Sequence, residues 1–389
     1  MALPRQRGPC PVGRARAEFS LTGRIPGARF DGSTAEAGLR AKRLLITAAL
    51  AAAPQARDAW QLWTAEFTLD ALDGEVFWIL PMLYSNLLHC GVEYAERPRL
   101  AGVYKQLRLR NAIAHRCLQE VLESLLQRQC EVLPGAITSL VLCGEEAIPL
   151  DPVELLVPVD ALELAHSVLQ SCGWKPALPL PPPLLLPFVS AVRYRHAKAG
   201  DLVLCWRPYG LDCPVEYDAS LWRRSGWDKT GTCTIRLADP VDRLLMTVQK
   251  GYFLHVCVML HRTFPEVTGP ALADRVKELG LAPLWAGLTE SLTKGTMAGI
   301  PASLIQAQSR HIAFSSPPDS KVALFQLAKR HWQRYRRCPA SLRPSGFIAY
   351  LLHYYRYAWQ CRSFGGIVSK ALKQAGSRFI GSGRKVPGC

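Results

Sequence analysis

The chain has 389 residues, enough for two or three domains, and its 49% hydrophobic and 20% charged residues match the composition of a soluble globular protein. A prominent apolar run, 44–53, ends at Pro54, well short of the ~20 residues needed to cross a bilayer. Arg5, Arg7, Arg14 and Arg16 have no apolar stretch beside them to form a secretory signal, so a cytoplasmic protein without a transmembrane segment is expected.

The net charge of +16 is uneven. Residues 1–43 carry +6, residues 44–308 carry −4, and residues 309–389 carry +14, with fifteen basic residues against one acidic. Basic appendages on a near-neutral body are the reading, rather than a nucleic-acid binder throughout. The 13 cysteines are scattered and contain no CxxC pair, which excludes the clustered spacing of a structural zinc site. They read as buried, reduced thiols.

In chain order, residues 1–36 are rich in Gly, Pro, Arg and Ala and read as a mobile basic segment. Helical patterning covers 37–130. One apolar stripe contains Trp60, Trp63 and Phe67, and a second runs from Trp78 to Leu88 and closes at Gly91. A long amphipathic helix follows over 98–130. At residue 131 the rhythm changes. A short strand ends at Pro134-Gly135, 136–142 fits helix or strand, and 152–157 reads as a strand. Asp160 and Glu163 have capping-box spacing for a helix that stops at Gly173. A proline-rich loop over 177–187 leads to two strand-like runs, 189–196 and 202–207, joined by a glycine-containing hairpin.

The stretch containing Trp222 and Trp227 reads as irregular. Helices are expected from Asp239-Pro240 onward, over 240–260, 268–280, 282–296, 301–310, 319–334 and 344–376. Residues 131–236 therefore form an α/β core between a helical region over 37–130 and a second helical region over 237–380, with a disordered tail over 381–389.

This order of elements resembles a bacterial family of uncharacterised nucleotidyltransferases, distant relatives of the DNA polymerase beta superfamily, across about Trp60 to Ile305. The family's long helix and first strand look like 107–133, and Pro134-Gly135 stands where the family has Lys-Gly. Its hallmark strand, Asp-x-Asp-Leu-Leu-Val, corresponds to Pro152-Val153-Glu154-Leu155-Leu156-Val157. It is followed by Asp160, Leu169 and Gly173-Trp174. The family's hairpin strand corresponds to Val203-Leu204-Cys205-Trp206-Arg207.

The resemblance implies an α+β fold, with a nucleotidyltransferase-like mixed sheet between N- and C-terminal helical regions. It also implies magnesium-assisted nucleotidyl transfer if the site is active. That chemistry takes two carboxylates at i and i+2 on one strand and a third on a neighbouring strand, which together hold the metal. A glycine turn lets backbone approach the phosphates.

Here the hallmark positions read Pro152 and Glu154, and the third-carboxylate position reads Val203. Glu154 and Asp151 are the vestigial catalytic candidates, Glu154 the metal candidate and Gly135 the cofactor-binding candidate. Asp151 and Glu154 stand three apart, which on a regular strand puts them on opposite faces. A degenerate relative that binds a protein or small-molecule partner in a biosynthetic pathway is the expected function. No cofactor is expected of a degenerate site and magnesium of an active one; active transfer from a nucleoside triphosphate is the alternative. A second alternative is nucleic-acid or anionic-surface binding through Lys329, Arg330, Arg334, Arg336 and Arg337, where cations interleave with Trp332 and Tyr335. Nucleic acid is the less favoured partner.

Overall fold

The structure is a computed structural model, and it describes residues 32–72, 76–211, 213, 216–230, 233–250, 255–259, 270–282, 285–286, 329, 331–336, 338, 340–358 and 360. Helix α1, Gly32–Leu50, begins inside the segment that composition assigns to a mobile arm. Helix α2, Ala53–Glu66, starts on Pro54 and buries Ala56, Ala59, Trp60 and Trp63, a single face at i, i+3, i+4 and i+7. The Trp60 and Trp63 rings stack at 5.3 Å, so this stripe is core.

Helix α3, Leu80–His89, packs on α1. Its Asn86 Nδ2 donates to the carbonyls of Ala48 and Ala51 at 2.9 Å each, satisfying acceptors left open at the end of α1. Helix α4, Arg97–Gln127, lies against α3 and carries buried Asn111. The Asn111 amide donates to the carbonyls of Glu146 and Ile148 and accepts the Leu150 N–H, which pins the loop entering the hallmark strand onto α4.

Five strands make one mixed sheet: β1 (Leu133–Pro134), β2 (Val153–Leu156), β3 (Lys175–Pro176), β4 (Ala191–His196) and β5 (Gly200–Cys205), in the order β1-β2-β5-β4-β3. β2 and β5 run parallel, and the other neighbours are antiparallel. Residues 136–142 form a helix, α5 (Ala136–Leu142), which packs on β2. Helix α6, Leu162–Ser171, packs between α4 and β3. It ends as its glycine implies: Gly173 has φ +87°, its N–H meets the Gln170 carbonyl, and the Trp174 N–H meets that of Leu169. The capping box does not form. Asp160 lies in a 3₁₀ turn, Val159–Ala161, and α6 starts behind Ala161 without a side-chain cap.

The stretch read as irregular is ordered. Helix α7, Glu216–Arg224, precedes a hairpin of β6 (Gly226–Thr230) and β7 (Cys233–Leu237), and β7 lies beside β1. Hydrophobic periodicity missed α7 because Leu221 is its only fully buried apolar residue. Ion pairs hold it instead, with acids in its first turn and arginines in its last, matching the helix dipole.

Helix α8, Pro240–Lys250, is started by Asp239, whose carboxylate accepts the Val241 N–H at 2.9 Å. Residues 255–259 are helical, followed by α9 (Pro270–Glu278) and α10 (Phe347–Ala358). The helices expected over 268–280 and 344–376 are thus met in part. The expectation for 301–310, most of those for 282–296 and 319–334, and both chain ends lie outside the described residues. Among the described residues, no helix is long and apolar enough to cross a membrane.

Candidate functional site

Glu154 sits mid-strand in β2 with its side chain turned toward α5 and α8. Its carbonyl accepts the Gly135 N–H at 2.8 Å, and its N–H donates to Thr138 Oγ1 at 2.9 Å. The turn into α5 is thereby held against the strand. A Cβ on Gly135 would lie 2.7 Å from both Cβ and Cγ of Glu154. Gly135 has φ −60°, which any residue adopts, so glycine is required here by the approach of Glu154 and not by conformation.

Lys250, the last residue of α8, bonds the Glu154 carboxylate; each side chain is only about one-fifth exposed. Two turns back on the same side of α8, Arg243 Nη1 reaches Ser139 Oγ on α5 at 3.4 Å.

The sheet register places Glu154 beside Val203, and Val203 beside Arg193. The row at this level therefore reads carboxylate, methyls, guanidinium. Two residues before Glu154, just outside β2, stands Pro152. Buried Cys205 pairs with Leu156 two steps further on. Burial pushes its thiol up to about 12, with Lys250 opposing and Glu154 adding to the shift, so it stays protonated and packs as an apolar group.

Asp151 has a different set of neighbours. Its carboxylate pairs with Arg110 of α4 at 2.9 Å and would meet a Cβ on Gly200, at the start of β5, at 3.7 Å. Burial raises its pKa, Arg110 opposes the rise, and nearby Asp201 adds to it. Asp201 is itself flanked by Arg195 at 3.2 Å and Arg193 at 3.7 Å. The two candidate acids are therefore separated, each with its own cation. Among the described residues, no group of three His, Cys, Asp or Glu side chains is arranged to hold a metal ion.

Two buried ion pairs position the elements behind this site. Asp242, completely buried in the first turn of α8, accepts Arg224 Nε at 2.8 Å, Arg224 Nη2 at 2.9 Å and the Tyr209 hydroxyl at 2.5 Å. Arg275 of α9 stands at 3.7 Å. This knot ties α7, α9 and the loop after β5 to the helix that delivers Lys250. Arg207 and Asp218 form the second pair, at 2.6 Å, both buried. Burial pushes Asp218 up to about 7, with Arg207 opposing.

Of the basic candidates, Lys329 and Arg336 are exposed and Arg334 is half-buried, whereas Arg330 and Arg337 lie outside the described residues. The aromatic residues among them are partly core. His331 is buried, shares a 2.6 Å hydrogen bond with Tyr350, and is pushed down to about 4 by burial and then by Arg334.

The residue that sequence reasoning missed is Lys250, 96 positions from its partner. Nothing in its local pattern marks it. The only available signal was its place at the end of a helix with a strong Asp-Pro start.

The coordinates define an α+β protein with a five-stranded mixed sheet and helices before, between and after its strands. Comparison with protein-family models, with curated proteins and with solved structures finds no match to this chain.

Proposed function

We propose that the chain is a catalytically degenerate relative of the nucleotidyltransferases, which uses the scaffold to bind a ligand or a partner protein in a biosynthetic pathway. The observation that carries this reading is the Glu154–Lys250 ion pair, in a row of side chains that offers no second carboxylate. A metal-dependent transferase needs its acids to share a divalent cation. Here the chain supplies the cation itself, as an ammonium, and the remaining positions are Pro152 and Val203. These residues do not fit a magnesium site.

The strand–turn–helix–strand order from Leu133 to Leu156, with a glycine against the acid-bearing strand, is what favours a nucleotidyltransferase-type scaffold over an unrelated α+β layout. Calorimetric titration of the full chain with each nucleoside triphosphate, with and without magnesium, tests the reading. The expected result is no magnesium-dependent heat. Magnesium-dependent binding that disappears in Glu154→Gln would restore the enzyme.

A further inference from the structure

Helix α10 buries one face and leaves two aliphatic side chains on the other. Its inner row, Tyr350, Tyr354 and Tyr357, is buried. Tyr350 packs 4.3 Å from Phe188, and the Tyr357 hydroxyl donates to the Pro179 carbonyl at 3.0 Å. Its outer row is Ile348, Leu352 and Arg356, at i, i+4 and i+8. Ile348 is 74% exposed and Leu352 36%. A helix that buries one side in a globular protein normally turns polar residues outward, and this one turns outward an isoleucine and a leucine.

The neighbouring surface continues the pattern. Trp332, on helical residues 331–336, is 45% exposed and meets Phe347 edge-on at 5.0 Å. Leu342 is 51% exposed. Lys329 and Arg336, three residues before and four after Trp332, are exposed, as is Arg356, four residues beyond Leu352. The whole stretch 320–389 contains fourteen Lys and Arg and no Asp or Glu. Arg356 also borders a cavity of about 460 Å³ whose other polar side chains are His353, Tyr357 and Gln360, with no carboxylate among its lining residues.

We infer that the outer face of α10 seats on an anionic lipid bilayer, with Ile348, Leu352 and Trp332 entering the headgroup–acyl boundary while Lys329, Arg336 and Arg356 meet lipid phosphates. The choice between lipid and nucleic acid rests on the aliphatic residues. Single-stranded nucleic acid rewards aromatic faces for base stacking and cations for phosphate. Aliphatic side chains in the outward row contribute neither. A bilayer interface takes aliphatics, tryptophan and basic residues together. Each cation near an anionic surface adds attraction that falls off within a Debye length.

Vesicle co-sedimentation of the full chain tests this, using phosphatidylcholine alone, phosphatidylcholine with phosphatidylglycerol, and an oligonucleotide competitor. The chain should pellet with the anionic vesicles and not with the neutral ones, and added salt should weaken binding. Ile348→Glu with Leu352→Glu should lower the apparent affinity by about tenfold or more, because each places a charge where apolar area was buried. Arg356→Gln should weaken binding to a smaller extent and flatten the salt dependence. Both variants alter exposed side chains, and circular dichroism and urea unfolding should match the parent chain. Failure to pellet, equal pelleting of the Ile348/Leu352 variant, or oligonucleotide binding that this variant abolishes would each overturn the inference. The result is independent of nucleotide binding at Glu154.

Discussion

Replacing Asp242 by Asn tests whether the buried knot behind the site holds the C-terminal helices to the sheet. The amide keeps the shape of the side chain and removes its charge. Asp242 is wholly inaccessible, and its two oxygens receive Arg224 twice and Tyr209 once, with Arg275 at 3.7 Å. In Asp242→Asn one oxygen becomes an NH₂ that faces the Arg224 donors, and two guanidiniums lose their shared counter-charge.

Removing one partner from a buried ion pair costs about 3–5 kcal/mol. The Arg224 side chain is 25% exposed, and Arg275 keeps Glu278 at 2.5 Å, so some of the stranded charge is solvated or paired. The expected loss therefore lies near the lower end, about 3 kcal/mol. Against a total stability of ~5–15 kcal/mol, that is a large fraction.

Urea unfolding followed by tryptophan fluorescence should show a lower midpoint with an unchanged slope. Arg224→Gln should cost a similar amount, and the double variant less than the sum of the two. A loss below about 1 kcal/mol in Asp242→Asn, or strict additivity in the double variant, would refute the reasoning.

Gly135→Ala should destabilise by about 1–3 kcal/mol, because the new methyl meets the base of the Glu154 side chain at 2.7 Å; a thermal midpoint at or above the parent value would contradict this. A double-mutant cycle with Glu154→Gln and Lys250→Met should give a coupling of about 1–3 kcal/mol, between the values for exposed and buried pairs. No coupling would remove the basis for calling the site self-neutralised. Asp218 is raised from 3.8 to about 7 in the folded chain, so its folded form holds a proton that its unfolded form has lost between those values. Its contribution to stability is full below pH 3.8 and is lost as pH rises toward 7. The stability of the parent chain minus that of Asp218→Asn should decline across that window, and a flat difference would show that Arg207 holds Asp218 ionised throughout.

Much of the architecture was legible because it rests on local rules. Trp60 and Trp63 followed a helical stripe into the core, Gly173 ended its helix in the left-handed region, and the turn before Gly200 joined two strands. The failures have two causes, one local and one tertiary. Asp160 and Glu163 had the right spacing for a capping box, but the chain takes a 3₁₀ turn there and the helix starts two residues after Asp160. Helix α7 was invisible to hydrophobic patterning because Arg207–Asp218 and Arg224–Asp242 hold it, and no helical or strand period links those partners. At the site, Glu154, Asp151 and Gly135 were all visible as residue types. Their pairing with Lys250 and Arg110 was not, because it depends on which helix ends the fold brings to which side of β2.

Charge balance links the site to the C-terminal surface. Around β2 and β5 the acids have cations from elsewhere in the chain: Lys250 for Glu154, Arg110 for Asp151, Arg193 and Arg195 for Asp201, and Arg108 for Glu146. Acids paired in this way present no concentrated negative field to attract a divalent cation. The last seventy residues are the reverse case, with fourteen cations and no acid in their own sequence. Lys329, Arg336 and Arg356 stand exposed beside apolar side chains that also lack a cover. Exposed apolar area and like charges side by side cost a chain some apolar hydration and some self-repulsion, and one anionic, apolar-edged surface relieves both costs together. Among the described residues, the outer face of α10 is open to a partner, whereas the acids beside β2 and β5 are satisfied from within.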